Sequence, residues 1–186
     1  VKRGRQNTQA EAATASSGWE ISVRQFGARG DCTYPEVDPD WERAHETCAH
    51  DDSQAFIDAL EHSRSIAGEG SGTVLVPPGL YRIDSTIVLD SDMELKLMEG
   101  AVLKRVNLTA ATTPLLLLTG MENVVSGGLF KTMNPSPRGV ITIGPVSPTE
   151  GVSIQFNRVS ECSIVGAGTS WLVDRSVPNP SGAALN

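Results

Sequence analysis

The sequence predicts a mainly β fold, a solenoid of stacked parallel coils with one helix acting as a lid at its start. Three observations point there. After Tyr81 the chain reads as short apolar segments divided by Asp, Gly, Asn, Ser and Pro, with no helical stripe among them. A faint repeat runs through those segments: Met93, Met121 and Val159 each stand seven positions before a glycine, namely Gly100, Gly128 and Gly166. The repeat starts lie 28 and 38 positions apart, a length that suits one solenoid unit plus loop insertions. Helical spacing is confined to one early stretch, Ala55, Phe56, Ala59 and Leu60. A β-sandwich would call for Asn-Gly or Asp-Gly hairpin turns, and the strand region has none.

The elements follow in order. Residues 1–18 are polar, with a small basic cluster at Lys2, Arg3 and Arg5, and read as a linker or an arm. The arm is expected to be a solvated tail, or else an anchor to an upstream domain or another subunit. Residues 19–186 form the β domain, with an entry and cap segment at 19–83 and the first coils at 84–186. Trp19 to Val23 alternates apolar and polar side chains, a strand signature. Phe26-Gly27-Ala28 with Gly30-Asp31 reads as a short strand ending in a tight turn. Within the insertion 32–50, Asp38 and Pro39 are suited to start a short helix. Trp41 there is expected to pack the loop onto its own body, the alternative being a ring that stacks on a sugar. The spacing of His45, Glu46 and His50 matches no standard zinc site, so no metal is assigned.

Asp51-Asp52-Ser53 supplies a helix start, with carboxylates near the positive end of the dipole. That stripe ends near Gly68. Val74-Leu75-Val76 is an apolar strand stopped by Pro77-Pro78-Gly79. The further strands expected are 86–89, 94–97, 101–103, 115–118, 123–125, 129–130, 140–143, 153–156 and 162–165. Stacking would bury Ile87, Leu89, Leu95, Leu97, Val102, Leu116, Leu118, Val125, Ile141, Ile143, Ile154, Phe156 and Ile164 in one column. The helix would then cover the raw first edge, which would otherwise template aggregation.

Composition narrows the class. Nine aromatic residues against 18 glycines and 11 prolines suit a turn-rich β protein. A net charge of −7 argues against a nucleic-acid partner. The longest apolar stretch, Leu115 to Leu118, falls far short of the ~20 residues of a membrane helix. The chain opens on Val1 with no basic and apolar leader pattern, and it closes in a loop-like string, 178–186. The expectation is a processed or partial chain whose coils continue past Asn186. Cys32 and Cys48 bracket the insertion. A disulfide there would close the loop and contribute ~3 kcal/mol in the chain-entropy model; the alternative is two thiols in a surface loop. Cys162 reads as a small buried apolar side chain.

Three blocks, VRQFGARGD (Val23 to Asp31), HDDSQAFIDAL (His50 to Leu60) and GTVLVPPGLYRI (Gly72 to Ile83), stand in one order. Together they resemble the entry segment of the pectate-lyase-like superfamily, over about residues 21–105. The residues that carry the resemblance are Phe26, Gly27, Gly30, Asp31, Asp51, Asp52, Gly72, Pro77, Pro78 and Gly79. In that family the first two blocks are nearly adjacent; here the insertion separates them. The resemblance implies a right-handed parallel β-helix with an N-terminal capping helix. The family includes phage tailspikes, tail-fibre proteins and secreted polysaccharide-degrading enzymes, and fold alone does not choose among them. The expected role is a receptor-proximal β-helix module of a virion tail. It is expected to be a homotrimer beside other tail proteins and in contact with cell-surface polysaccharide, with no cofactor. The alternative is the N-terminal part of a secreted lyase or glycoside hydrolase.

Glycan cleavage by hydrolysis needs two carboxylates ~5–9 Å apart. Candidates are Asp84, Asp90, Asp92, Glu94, Glu99, Glu122, Glu161 and Asp174, mostly at turns, where a solvated carboxylate is ordinary. Turn and cap roles account for Asp31, Asp51 and Asp52. No Ser-His-Asp order, P-loop, CxxC or HExxH motif occurs, and no catalytic residue is assigned. Asn107-Leu108-Thr109 fits a glycosylation sequon, meaningful only in a eukaryotic secreted chain.

Overall fold

The computed structural model describes residues 20–33, 48–67, 72–105, 113–132, 140–144, 154–166 and 171–173. Several expectations lie outside them: the arm, most of the insertion with Trp41, His45 and Glu46, the turn at Gly68, the sequon, Asp174 and the final loop. The chain runs β1 (Glu20–Ser22), a 3₁₀ turn (Val23–Phe26), α1 (Ser53–Ala67), β2 (Gly72–Val76), β3 (Gly79–Arg82) and β4 (Ile87–Leu89). It continues with β5 (Met93–Leu97), β6 (Ala101–Arg105), β7 (Leu116–Leu118), β8 (Val124–Ser126) and β9 (Leu129–Thr132). Last come β10 (Ile141–Ile143), β11 (Arg158–Ser160), β12 (Ser163–Gly166) and β13 (Trp171–Val173).

The fold is mostly β, with parallel strands in three sheets and one helix. The first sheet has the order β1-β2-β5-β8-β11, the second β3-β6-β9-β12 and the third β4-β7-β10-β13. From β2 onward every third strand joins the same sheet. Register stacks like on like. Val74, Leu95 and Val125 align in the first sheet; Tyr81, Leu103 and Phe130 in the second; Ile87, Leu116 and Ile141 in the third. All nine are buried. A three- to five-residue strand cannot hide these side chains alone, so the stack is the smallest unit that buries them. Each contributes roughly 1.5–3 kcal/mol when fully buried.

Two corners repeat their backbone. Asp92, Glu122 and Phe156 are left-handed, at φ 63, 58 and 57, where the third sheet passes to the first. Gly100, Gly127 and Glu161 are left-handed, at φ 83, 75 and 57, where the first passes to the second. A Cβ at Gly127 would collide with the Leu97 carbonyl, so this turn admits glycine alone.

Each sheet's first strand is covered. β1 pairs with β2, and Asp31 bridges Leu80 of β3. α1 packs against β1, β2, β4 and the 3₁₀ turn. Its buried face is Ala55, Phe56, Ala59 and Leu60, joined by Ser53 and Ser63.

The structure corrects four expectations. The strand expected at Trp19 to Val23 ends at Ser22, and Phe26 closes a 3₁₀ turn, Val23–Phe26, instead of opening a strand, because Ser22 and Gln25 form a capping box: the Ser22 hydroxyl accepts from the Arg24 N–H, and the Gln25 side chain accepts from the Ser22 N–H. The strand expected at 153–156 is displaced: β11 begins at Arg158, Gln155 makes an isolated bridge to Met121, and Phe156 is 76% exposed rather than internal. Val102 lies on the outer side beside Leu80 while Ala101 and Leu103 face in, a one-residue shift that exchanges faces. The repeat pairing Val159 with Met93 is out of frame: Glu94, Val124 and Arg158 are the equivalent residues, at unequal intervals of 30 and 34 positions. β3 and β13 also escape the sequence reading, β3 because the strand resumes directly after Pro77-Pro78.

Candidate functional site

The three entry blocks converge where α1 meets the first strands. Asp51 caps the helix, accepting from the Ser53 N–H at 3.0 Å. The Ser53 hydroxyl in turn accepts from the Asp84 and Ser85 N–H groups, at 2.9 and 3.0 Å. Asp52 faces the other way. Fully buried, it accepts from the N–H groups of Arg29 at 2.7 Å and Gly30 at 3.2 Å, and its own N–H donates to the Arg82 carbonyl at 2.8 Å. One residue thus ties the glycine turn, the helix start and the end of β3 together. His50 Nε2 stands 3.6 Å from the same carboxylate.

The two carboxyls respond differently to this setting. Desolvation pushes Asp52 above the ordinary carboxylate value, against the two N–H donors and His50. At Asp51 desolvation is outweighed by hydrogen bonds from Ser53 and Asp84 and by nearby Arg82, so its carboxyl lies below the ordinary value.

Around them, Arg82 donates to the Cys48 carbonyl at 2.9 Å and, through Nε, to Asp84 at 2.9 Å. Cys32 and Cys48 are joined by a disulfide that packs with Leu80 and Val102. Tyr81 is buried, meets Phe56 edge-on at a centroid distance of 5.5 Å and donates to the Pro77 carbonyl at 2.9 Å. Arg24 reaches the Pro78 carbonyl at 2.8 Å, and Phe26 packs on His62 at 5.3 Å. Gly30 has φ 57, and a Cβ there would lie 2.6 Å from the Tyr81 ring. A Cβ on Gly79 would lie 3.0 Å from the Gly30 carbonyl, and one on Gly72 would collide with the Ser63 hydroxyl of α1. Gly27 ends the 3₁₀ turn in the left-handed region. The motif residues therefore meet as an architectural clamp.

The candidate acids are distributed. Asp84 pairs with Arg82, Asp90 lies 3.7 Å from Arg64, and the Thr73 hydroxyl donates to Glu94 at 3.0 Å. Glu99 is exposed, and Glu161 sits at the second corner. Asp92 and Glu122 are brought together at consecutive levels of one corner, where neighbouring parallel strands stand about 4.8 Å apart. Among the described residues no group of three His, Cys, Asp or Glu is placed to hold a metal ion, and no helix is long and apolar enough to cross a membrane.

The first sheet turns an outward row of Glu20, Thr73, Glu94, Val124 and Arg158 beside a row of Ser22, Leu75, Lys96, Ser126 and Ser160. On the second sheet Arg82, Lys104 and Lys131 stand in register. Lys104 is 2% exposed, and burial, with Lys131 adding repulsion, lowers its pKa to about 8.

Two asparagines to which the sequence reading gave no side-chain role hold the first corner. The Asn157 side-chain carbonyl accepts from the Asn123 N–H at 3.1 Å and from its Nδ2 at 2.9 Å. Asn123 Oδ1 accepts from the Met93 N–H at 3.3 Å, and its Nδ2 donates to the Thr119 carbonyl at 2.9 Å. Asn157 Nδ2 donates to the Gly120 carbonyl at 2.9 Å. The available signal was an asparagine immediately before each of two short strands, β8 and β11.

No family model, curated protein or solved structure matches the chain.

Proposed function

We propose that the three sheets are the faces of a right-handed parallel β-helix, lidded by α1, and that the chain is a structural, receptor-proximal module of a phage tail fibre or tailspike. In this reading it assembles as a homotrimer beside other virion tail proteins and touches cell-surface glycan. One observation carries it: the three entry blocks, distant in sequence, meet at the first edge of an in-register parallel stack. A closed first edge and long polar outer rows suit a rigid rod that contacts a polymer along its length. Light scattering tests the assembly, with a mass near three times 19.7 kDa expected; a monomer at working concentration rejects the trimer. Copurification with virions tests the tail assignment.

The second reading is the N-terminal part of a secreted polysaccharide lyase or glycoside hydrolase. The Cys32–Cys48 disulfide favours it, because such bonds persist in oxidising compartments. New reducing ends or viscosity loss with acidic polysaccharides would support this reading over the first.

A further inference from the structure

Phe156 is 76% exposed, the most of any large apolar side chain among the described residues. Its φ of 57 puts it in the left-handed region, which a bulky residue rarely adopts. The equivalent positions at the two preceding levels hold Asp92 and Glu122, both polar. The corner that elsewhere carries a carboxylate here holds out an aromatic ring, against both its conformational preference and its hydration. Beside it stands Met121, 40% exposed and bridged to Gln155. The ring, the thioether and two carboxylates therefore lie along one edge, an apolar platform flanked by hydrogen-bond acceptors.

We propose that this edge, formed by Phe156, Met121, Glu122 and Asp92, is a binding strip for a glycan whose sugars carry no carboxylate. One face of a pyranose ring is a patch of C–H groups that packs on an aromatic face. Hydroxyls on its rim donate to the carboxylates, and charge-assisted bonds of this kind are the stronger ones. The same carboxylates repel a uronate, and the net charge of −7 adds to that repulsion. The inference rests on the glycan-contact reading above and narrows its sugar class.

Affinity electrophoresis of the full chain through gels containing dextran, a galactomannan or polygalacturonate tests it. Phe156→Asn removes the ring while keeping a residue that tolerates the left-handed turn. The expected result is retardation by a neutral polysaccharide and not by polygalacturonate, weakened at least tenfold in F156N, with the thermal midpoint unchanged or raised. Retardation that F156N leaves intact overturns the strip while the glycan reading stands. Retardation by polygalacturonate alone overturns the sugar class. Retardation by none of the three overturns the strip and the glycan reading together. A change confined to the sedimentation coefficient of F156N makes the ring a contact between copies and overturns the proposal.

Discussion

Removing the Asp52 carboxylate would leave the part-buried N–H groups of Arg29 and Gly30 without their acceptor. Asp52→Ala is expected to cost about 1–2 kcal/mol in a urea melt, because donors that lose their acceptor carry a desolvation penalty. Asp51→Ala removes a helix cap and is expected to cost about 1 kcal/mol. Asn123→Ala should cost as much as Asp52→Ala or more, since the Met93 N–H, the Thr119 carbonyl and the Asn157 side chain all lose a partner. Lys104 works in the opposite direction. In the fold it titrates at about 8, against 10.5 in the unfolded chain. Between those values the unfolded chain holds a proton that the fold has shed, so stability rises with pH across that window. Lys104→Met should flatten that rise. Paired urea melts at pH 7 and pH 10 measure both effects.

At the scale of elements, the disulfide and α1 guard neighbouring parts of one edge. Cys32→Ser with Cys48→Ser is expected to lower stability by about 3 kcal/mol in the chain-entropy model, read as an earlier thermal midpoint that reductant reproduces in the native chain. The β signal should persist by circular dichroism, because the bond packs on Leu80 of β3 and Val102 of β6, both in the second sheet. What the sequence made legible at this scale divides by the range of the forces. α1 and β2 were readable because helix spacing, the Asp-Ser cap and the Pro-Pro stop are local. β11 was not, because its position is set by Asn157 bonding Asn123 one level earlier in the stack, 34 residues back along the chain. Val102 was placed on the wrong face for a related reason: one residue of register decides which way it points, and only the partner strand sets that register. The burial of Lys104 has no local signature, since nothing in Ala101 to Arg105 marks the fourth residue as enclosed.

For the whole molecule, the stacking of like residues was legible as a tendency and not as a frame. The three entry blocks predicted where the chain begins to stack, and their side chains do converge there. The candidate acids were readable as a set but not as an arrangement, since among the described residues only Asp92 and Glu122 come to adjacent levels. The exposed ring of Phe156 was expected inside, because an apolar residue in an apolar segment is ordinarily core, and a left-handed backbone cannot be seen in composition.

The parallel ladders have a kinetic consequence. Glu94 waits for Val124, and Val124 for Arg158, so these pairings must first close loops of 30 and 34 residues. Such topologies acquire their contacts slowly, because closure is unfavourable before any contact rewards it. Synthesis from the amino end, at roughly 5–20 residues per second, would offer each strand a finished template before the next emerges. Refolding from denaturant lacks that order and should be far slower than assembly on the ribosome.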